Sequence, residues 1–558
     1  MSEVGKKQNF LHGAMWLALS AIVVKVIGAL YKFPLQAIIG DEGYSYFTTA
    51  YDIYSVLLTI STAGLPLAMS RAISQANAQG HDRQVRRIFK ASRFIFVALG
   101  VLSMLAMIAF CQNPYVNQHQ PSAWISIVSL APSAFFIGLM CSYRGFFQGQ
   151  GNMRPTSMSQ MLEAVFKLIV GLGVAYLFLK LTGNIALAAG GAIMGVSFSC
   201  LVSTIYLYYK FRPAYSALGT CSEGVTSYRS ITKTLMAIAI PVTLGSAGLQ
   251  IINVIEGNLY MGNLVELAGN PDYSPALIET LKQSILENEP LLTVSELHSK
   301  VASNLKGIYN FMLTFFNLPT ALILPITVSI LPAITEQLTL NHHDQVSATE
   351  ESAARVTGLL ALPCSIGMTV LAGPIAGLSY TGERLELATA MLQILGVCVF
   401  FCACVMYTNT ILQSHNYAHI PVINTLLCGG VRLVIVYLLS GNPDIGVVGI
   451  PVGALFSYVG IFVLNLLAIY RLSAKKPQLI RNLIRPMIPA LAMGVGVAAT
   501  LYVIQSVLGI HSRLILCGAP LAVGVVIYCA GILVCKTIKK EDCLLLPKGE
   551  KIAKLLHL

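Results

Sequence analysis

Charge is what this 558-residue sequence lacks most: Asp, Glu, Lys and Arg supply 11% of it, against 55% in the hydrophobic set and a mean hydropathy of +0.71. Such a composition excludes a water-soluble globule, whose surface needs many more polar side chains. Acidic residues are the scarcer sign, 24 against 36 Lys plus Arg, for a net charge of +12. In a soluble protein that excess would suggest nucleic acid. Here the basic residues fall almost entirely between apolar runs, so no nucleic-acid partner is expected and the charge reports membrane orientation. Metal-finger spacing is also missing. The 13 Cys sit mostly singly inside apolar runs, as at Cys200, Cys364, Cys402 and Cys428, and read as small core residues. His342, His343 and Asp344 lack an anchored fourth group, so neither a metal nor another cofactor is expected. No small-residue cleavage site follows the first apolar run, which Lys25 and Lys32 interrupt, so it reads as a retained span.

What the sequence has instead is apolar length. About 20 apolar residues cross a bilayer, and suitable segments lie at 11–38, 44–69, 88–111, 122–147, 157–179, 184–209, 234–262, 303–335, 352–380, 386–412, 418–440, 446–470, 486–509 and 514–535. That is fourteen. With an even count both termini share a side, and alternate loops then collect 26 Lys plus Arg on one face and six on the other: Lys180, Lys282, Lys300, Lys306, Arg384 and Arg513. The positive-inside rule puts the termini in the cytoplasm. The long exterior loop, 263–302, has apolar spacing at Ile278, Leu281, Ile285 and Leu286 that predicts a short surface helix, either a connector or a gating element.

A repeat runs through the chain. Leu65-Pro66-x3-Ser70 returns as Leu324-Pro325-x3-Ser329, and Gly183-Asn184 with Gly191, Gly195 and Ser199 returns as Gly441-Asn442 with Gly449, Gly453 and Ser457. The nearly equal shifts, 259 and 258 residues, argue for duplication. The expected fold is therefore an all-α polytopic membrane protein of 14 transmembrane helices: two homologous six-helix bundles around a central cleft, plus two extra C-terminal helices. Parallel repeats of this kind suit transport by rocking one bundle against the other. The expected divisions are 1–230, 231–475 with the exterior loop, and 476–558. Gly28, Gly191, Gly195, Gly449 and Gly453 read as helix-packing positions. Pro66, Pro319 and Pro325, with Pro241, Pro332, Pro363 and Pro374, read as bending points.

Charges inside apolar runs are costly enough to need a reason. Lys25, Gly28 and Lys32 share a helix face, which should meet water and anions in a cavity or a structural carboxylate. Asp52 and Glu256 are carboxylates that either neutralise such ammonium groups or relay protons or sodium. Glu163 and Lys167 stand at i, i+4, the spacing of an internal ion pair. Arg432 occupies the region of the second bundle that echoes Lys167, to hold phosphate or brace the helices. Arg71, Arg83, Arg86 and Arg87, with Lys90 and Arg93, form a cytoplasmic collar explained by topology or by attraction of anionic lipid headgroups.

The stretch from Lys25 through Tyr31-Lys32-Phe33-Pro34 to Gly40-Asp41-Glu42-Gly43, continued by Ala50-Tyr51-Asp52 and Gly64-Leu65-Pro66, resembles the stage V sporulation protein B and YtgP-type polysaccharide biosynthesis family. That family stands beside the lipid II flippase MurJ family in the multidrug/oligosaccharidyl-lipid/polysaccharide exporter superfamily. The resemblance implies a bacterial plasma-membrane flippase, not an enzyme. It would accept undecaprenyl-pyrophosphate-linked saccharide at the cytoplasmic leaflet and release its headgroup outside, feeding peptidoglycan or another envelope polymer. Anionic membrane lipids and envelope-polymer synthases are the implied partners, with coupling to the membrane potential, protons or sodium. Lys25 and Lys32 match the basic first-span positions that face the cavity and would bind pyrophosphate. The chain departs from the pattern at Asp52, where MurJ-type proteins often carry a basic residue. It departs again at Thr314, which precedes Leu318-Pro319 where an arginine is expected; Lys306 is the nearest basic substitute. The rivals are a cation-coupled exporter of another amphipathic solute, a scaffold, and a membrane glycosyltransferase using carboxylates such as Asp41 and Glu42.

Overall fold

The computed structural model describes residues 3–62, 64–112, 114–219, 226–270, 275–339, 342–473, 476–510, 512–535 and 537–538, and it is helical throughout, with no strand among the described residues. The basic tail beyond residue 538 lies outside the described residues. In chain order the helices are α1 (Glu3–Thr62), α2 (Leu65–Ala78), α3 (Asp82–Phe110), α4 (Pro114–His119), α5 (Ala123–Gly149), α6 (Arg154–Thr182), α7 (Ile185–Ser216) and α8 (Tyr228–Gly269). They continue as α9 (Pro275–Asn288), α10 (Val294–Thr339), α11 (His343–Val370), α12 (Ala372–Ala376), α13 (Glu383–Ser414), α14 (His419–Ser440), α15 (Gly449–Leu472), α16 (Leu479–Ile484), α17 (Met487–Tyr502) and α18 (Arg513–Val534).

Eleven stretches among the described residues are helical, long and apolar enough to cross a membrane. The fourteen sequence segments also counted α8 and α10, which are not among those eleven, and read the first stretch, Val23–Ile60, as two crossings. Gly40 supports that last division. It stands at φ 64°, ψ −172° and breaks α1 into arms 3–39 and 41–62, a left-handed conformation that glycine adopts without the steric penalty of a Cβ.

The second segment was expected to run to residue 69, but α1 ends at Thr62 and a new helix starts at Leu65. Pro66 sits in the first turn of α2, where its missing N–H costs nothing. It starts a helix and does not bend a continuous one. Segment eight likewise begins earlier than its apolar run. Thr293 and Glu296 form a capping box, Thr293 N–H to Glu296 at 2.9 Å and Glu296 N–H to Thr293 Oγ1 at 3.4 Å, so α10 starts at Val294 within the exterior loop. The Thr293 hydroxyl also donates to the Glu296 carboxylate at 2.7 Å, and that bond, with the one from the Thr293 N–H, holds the exposed carboxyl below its ordinary range. The predicted loop helix is α9, with Ile278 and Leu281 buried and Leu286 exposed.

Contacts divide the chain into two compact units, residues 1–269 with 282–310, and 270–281 with 311–558. The repeat-based boundary at 230/231 placed α8 in the second bundle, whereas its contacts group it with the first unit. Within the first unit α7 packs on α6 and α5; within the second, α15 packs on α14 and α13. The repeated glycines serve these two pairings. A Cβ on Gly195 would lie 2.3 Å from Gly171 Cα, and one on Gly191 would lie 3.0 Å from Phe178. In the other unit a Cβ on Gly453 would lie 2.4 Å from Val436, and one on Gly449 would lie 2.6 Å from Leu439. The same glycine spacing therefore brings α6 against α7 and α14 against α15. The preceding dipeptides are used differently. Gly183 ends α6 at φ 65° and Asn184 caps α7, while Gly441 stays right-handed and a 3-10 turn at Gly446–Val448 leads into α15.

Gly195→Leu is expected to destabilise the protein by about 1–3 kcal/mol through overpacking, read as a lower unfolding temperature in detergent. Gly173→Ala, on the same helix as Gly171 but with nothing within 4 Å of its added Cβ, should be neutral or stabilise by about 0.5–1 kcal/mol.

Candidate functional site

Buried charge in the first unit gathers where α1 meets α6, α8 and the head of α10. Gly307 is the residue that permits the α10 contact, because a Cβ there would lie 1.9 Å from the Asp41 carbonyl oxygen at the bend of α1. One position earlier, Lys306 is 2% exposed. Its Nζ donates to Thr49 Oγ1 at 2.8 Å and lies 5.6 Å from the centre of the Tyr260 ring. Thr49 donates onward to Gln120 Oε1 at 2.7 Å, and Gln120 Nε2 donates to Ser45 Oγ at 2.7 Å. The ammonium thus has an acceptor and an aromatic face, the compensation that a buried cation requires.

Asp52 has Lys306, Glu256 and Lys32 as its charged neighbours, in that order of strength. Gly257, next to Glu256 on α8, faces Asp52: a Cβ there would lie 3.6 Å from Asp52 Oδ2, an ordinary contact. Lys32 in turn is neighboured by Lys167 and Asp52. Lys167 Nζ donates to Tyr51 Oη at 2.6 Å and lies 4.7 Å and 5.3 Å from the ring centres of Tyr51 and Tyr31. An aromatic row of Tyr31, Phe47, Tyr51 and Tyr54, with centroids 5.0–6.0 Å apart, backs this side of the cluster. Among the described residues, three ammonium groups and two carboxylates are thereby brought together.

The Glu163–Lys167 ion pair expected from i, i+4 spacing does not form. Glu163 pairs instead with Arg144 of α5 at 3.1 Å, and Arg144 Nε donates to Ser159 at 2.9 Å. The guanidinium's separate donors let Arg144 hold Glu163 and Ser159 at once. Lys167 makes its direct contacts with the tyrosines, while Glu163 still acts on it electrostatically from beyond ion-pair distance. The carboxylates considered for an enzyme are also engaged. Asp41 accepts from Gln36 at 3.0 Å, and Glu42 accepts from Tyr46 at 2.8 Å and lies 3.5 Å from Lys300.

The other singled-out residues are dispersed. Lys25 is exposed and does not join the cluster that takes in Lys32, although both share a helix face. An added Cβ at Gly28 meets nothing within 4 Å, so Gly28 borders open space and is not a close-packing position. Arg432 belongs to the second unit, one turn before the Val436 that meets Gly453; Lys167 stands one turn before the Gly171 that meets Gly195. The echo between Lys167 and Arg432 is thus a matching position on matching helices. Pro319 is half-buried on α10, and the side chain of Pro325 lies outside the described residues. Arg71 is exposed on α2, while Arg83, Arg86 and Arg87 lie together on α3. Sequence reasoning gave Arg144 no site role, and noted Lys306 only as the nearest basic substitute for an expected arginine while counting it with the exterior cations. The available signal was Gly307, a small residue beside a lone lysine at the start of an apolar run.

Residues 10–337 match the family model of the polysaccharide biosynthesis protein, and residues 291–517 match that of the lipid II flippase MurJ. Lipid II flippase MurJ of Bacillus subtilis (strain 168) is 25% identical over 450 residues, 76% of this chain and 76% of that one. Stage V sporulation protein B of the same organism is 23% identical over 450 residues, 79% of this chain and 80% of that one. Among solved structures, a lipid II flippase MurJ in an inward closed conformation has a TM-score of 0.63 at 12% identity, covering 94% of this chain and 98% of its own, a likeness of fold. With the apolar helices, these likenesses make the chain a multi-pass membrane flippase or transporter rather than an enzyme.

Removing Arg144 leaves Glu163 without its partner, so Arg144→Gln should destabilise the protein by about 2 kcal/mol and by more than Lys167→Gln does. Thermal unfolding of the two variants in detergent gives the order; the reverse order would restore the Glu163–Lys167 pair.

Proposed function

The chain belongs to the polysaccharide biosynthesis protein family, and from that premise we propose that it is a flippase for undecaprenyl-pyrophosphate-linked saccharide, lipid II or a related envelope precursor. It carries the headgroup from the cytoplasmic to the outer leaflet by alternating access, with both termini in the cytoplasm. The observation that carries this reading is the cluster of Lys32, Lys306 and Lys167 around Asp52 and Glu256 in the first unit.

A sugar pyrophosphate cannot enter hydrocarbon without replacement of its hydration, while its isoprenoid tail never needs to leave the bilayer. Lys32 and Lys306 supply charge-assisted donors for pyrophosphate oxygens, which form shorter and stronger bonds than neutral donors do. In the resting cluster Asp52 and Glu256 oppose two of the three ammonium groups. An arriving pyrophosphate competes with Asp52 for Lys32 and Lys306, and the displaced carboxylate is then free to take up a proton or a sodium ion. That exchange would couple headgroup release to an ion gradient or to the membrane potential without a resident cofactor. Lys167, held by tyrosine rings that do not neutralise it, keeps the local balance positive. The same balance disfavours a small cationic drug as cargo.

Leaflet-resolved accessibility of labelled lipid II in proteoliposomes tests the assignment. The wild-type protein should expose the headgroup on the far side. Lys32→Gln and Lys306→Gln should each slow that by about tenfold or more, the loss of one charge-assisted contact, with a smaller loss for the exposed Lys25→Gln. Absence of protein-dependent movement of lipid II and of related undecaprenyl-linked precursors, with a working flippase alongside, removes the proposal.

A further inference from the structure

Apart from that cluster, α3, α7 and the entry to α8 build a second cationic setting. Arg83, Arg86, Arg87 and Lys90 fall at i, i+3, i+4 and i+7 on α3, so all four share one helix face. With Gly219 and Tyr228 they line a cleft of about 470 Å³, and no carboxylate lines it among the described residues. The adjacent Asp82 is occupied, its Oδ2 accepting the Gly219 N–H at 2.7 Å. Four like charges in one cleft repel one another unless an anion lies between them.

Two of the arginines are set in place before any ligand arrives. Arg86 donates to the Leu218 carbonyl and stands 5.2 Å from the centre of the Tyr215 ring. Arg87 donates to the Thr226 carbonyl at 3.1 Å and stands 5.3 Å from the centre of the Tyr228 ring. Gln84 and Thr226 bond reciprocally at 2.6 and 3.0 Å, tying α3 to the segment that enters α8. Within this frame the Nε of Arg86 is buried and has no hydrogen-bond partner. A buried donor left without an acceptor calls for one, and an anion oxygen in the cleft would supply it.

Lys90 also lines a neighbouring cleft of about 430 Å³ with Arg93, and its other walls are mostly apolar: Phe89, Phe94, Val97, Phe211 and Tyr215. Phe89 stacks on Phe211 at 4.4 Å, and Phe211 meets Tyr215 at 4.9 Å, so this wall is rigid. Phe94 is 76% exposed. A cationic cleft and an apolar slot joined by one lysine match an amphiphile with a phosphate head and a hydrocarbon chain. A soluble phosphate would leave the slot unused.

We propose that this is a binding site for an anionic membrane phospholipid, with its phosphate among Arg83, Arg86, Arg87 and Lys90 and one acyl chain along Phe89, Phe94 and Phe211. It shares no residue with the Lys32–Lys306 cluster, so the lipid is a resident or regulatory ligand and not the cargo. Arg71, exposed on α2, lies outside it.

The test is native mass spectrometry of the full-length protein with phosphatidylglycerol, phosphatidylcholine, inorganic phosphate and lipid II as separate probes. The wild type should retain phosphatidylglycerol over phosphatidylcholine. R83Q/K90Q removes two exposed cations and leaves the bonded Arg86 and Arg87 in place; it should weaken retention roughly 20-fold, about fivefold per cation. Phe94→Ser should weaken it as well, with unfolding temperature in lipid-free detergent unchanged in both variants. Unchanged retention by R83Q/K90Q overturns the proposal. So does displacement of the lipid by inorganic phosphate, which would make this a site for a free anion, or by equimolar lipid II, which would make it part of the transport path. Because the displacement arms use wild-type protein, they decide the matter even if a variant misfolds. Lys32→Gln should retain phosphatidylglycerol like the wild type, so failure of the flippase assay and failure of this site remain distinguishable.

Discussion

Keeping ammonium groups inside an apolar helical unit is the constraint on which this protein's first unit is built. Each such group costs about 2.5–3.5 kcal/mol at a bilayer centre even on the lenient insertion scale, and its surroundings must offset that. Thr49 and the Tyr260 ring do so for Lys306, and Tyr51 and Tyr31 do so for Lys167. Hydroxyls and aromatic faces solvate a cation without cancelling its charge. Asp52 is the carboxylate that faces Lys306 and Lys32, so an arriving anion must compete with it. Glu163 shows the contrasting solution, closed off by Arg144 and Ser159.

Backbone economy makes the arrangement possible. Gly307 brings α10 onto the bend of α1 at Asp41. It bears no chemistry, yet it sets how closely the helix that carries Lys306 approaches α1. The same device recurs away from the charges, where Gly195 meets Gly171 and Gly453 meets Val436. The two units share this packing device, with Lys167 one turn away in one and Arg432 in the other.

The all-helical, many-span character of the fold was legible in the sequence, because apolar length acts over whole segments and tolerates small errors. The break at Gly40, the loop helix α9 and the paired glycines all carry local signals of that kind. What stayed hidden depends on partners distant in the chain. Spacing made Glu163 and Lys167 look like a pair, but only the packing of α5 on its neighbours brings Arg144 to 3.1 Å. Lys306 looked like a loop cation because hydropathy places a span's edge at its first apolar residue, whereas the capping box at Thr293 starts the helix much earlier. Lys25 and Lys32 share a face by periodicity, and neither sequence residue reports that only Lys32 is neighboured by Lys167 and Asp52.

A single measurement reaches the central claim: the reactivity of a cysteine placed at Gly257, beside Asp52 and with every cation of the cluster kept, in a chain whose native cysteines are replaced by serine, toward a charged membrane-impermeant thiol reagent. If the cluster is hydrated and takes pyrophosphate, the cysteine should react, and undecaprenyl pyrophosphate should slow that reaction while undecaprenol does not. A cysteine inert from both sides of the membrane, or one whose rate ignores the pyrophosphate, would contradict the account.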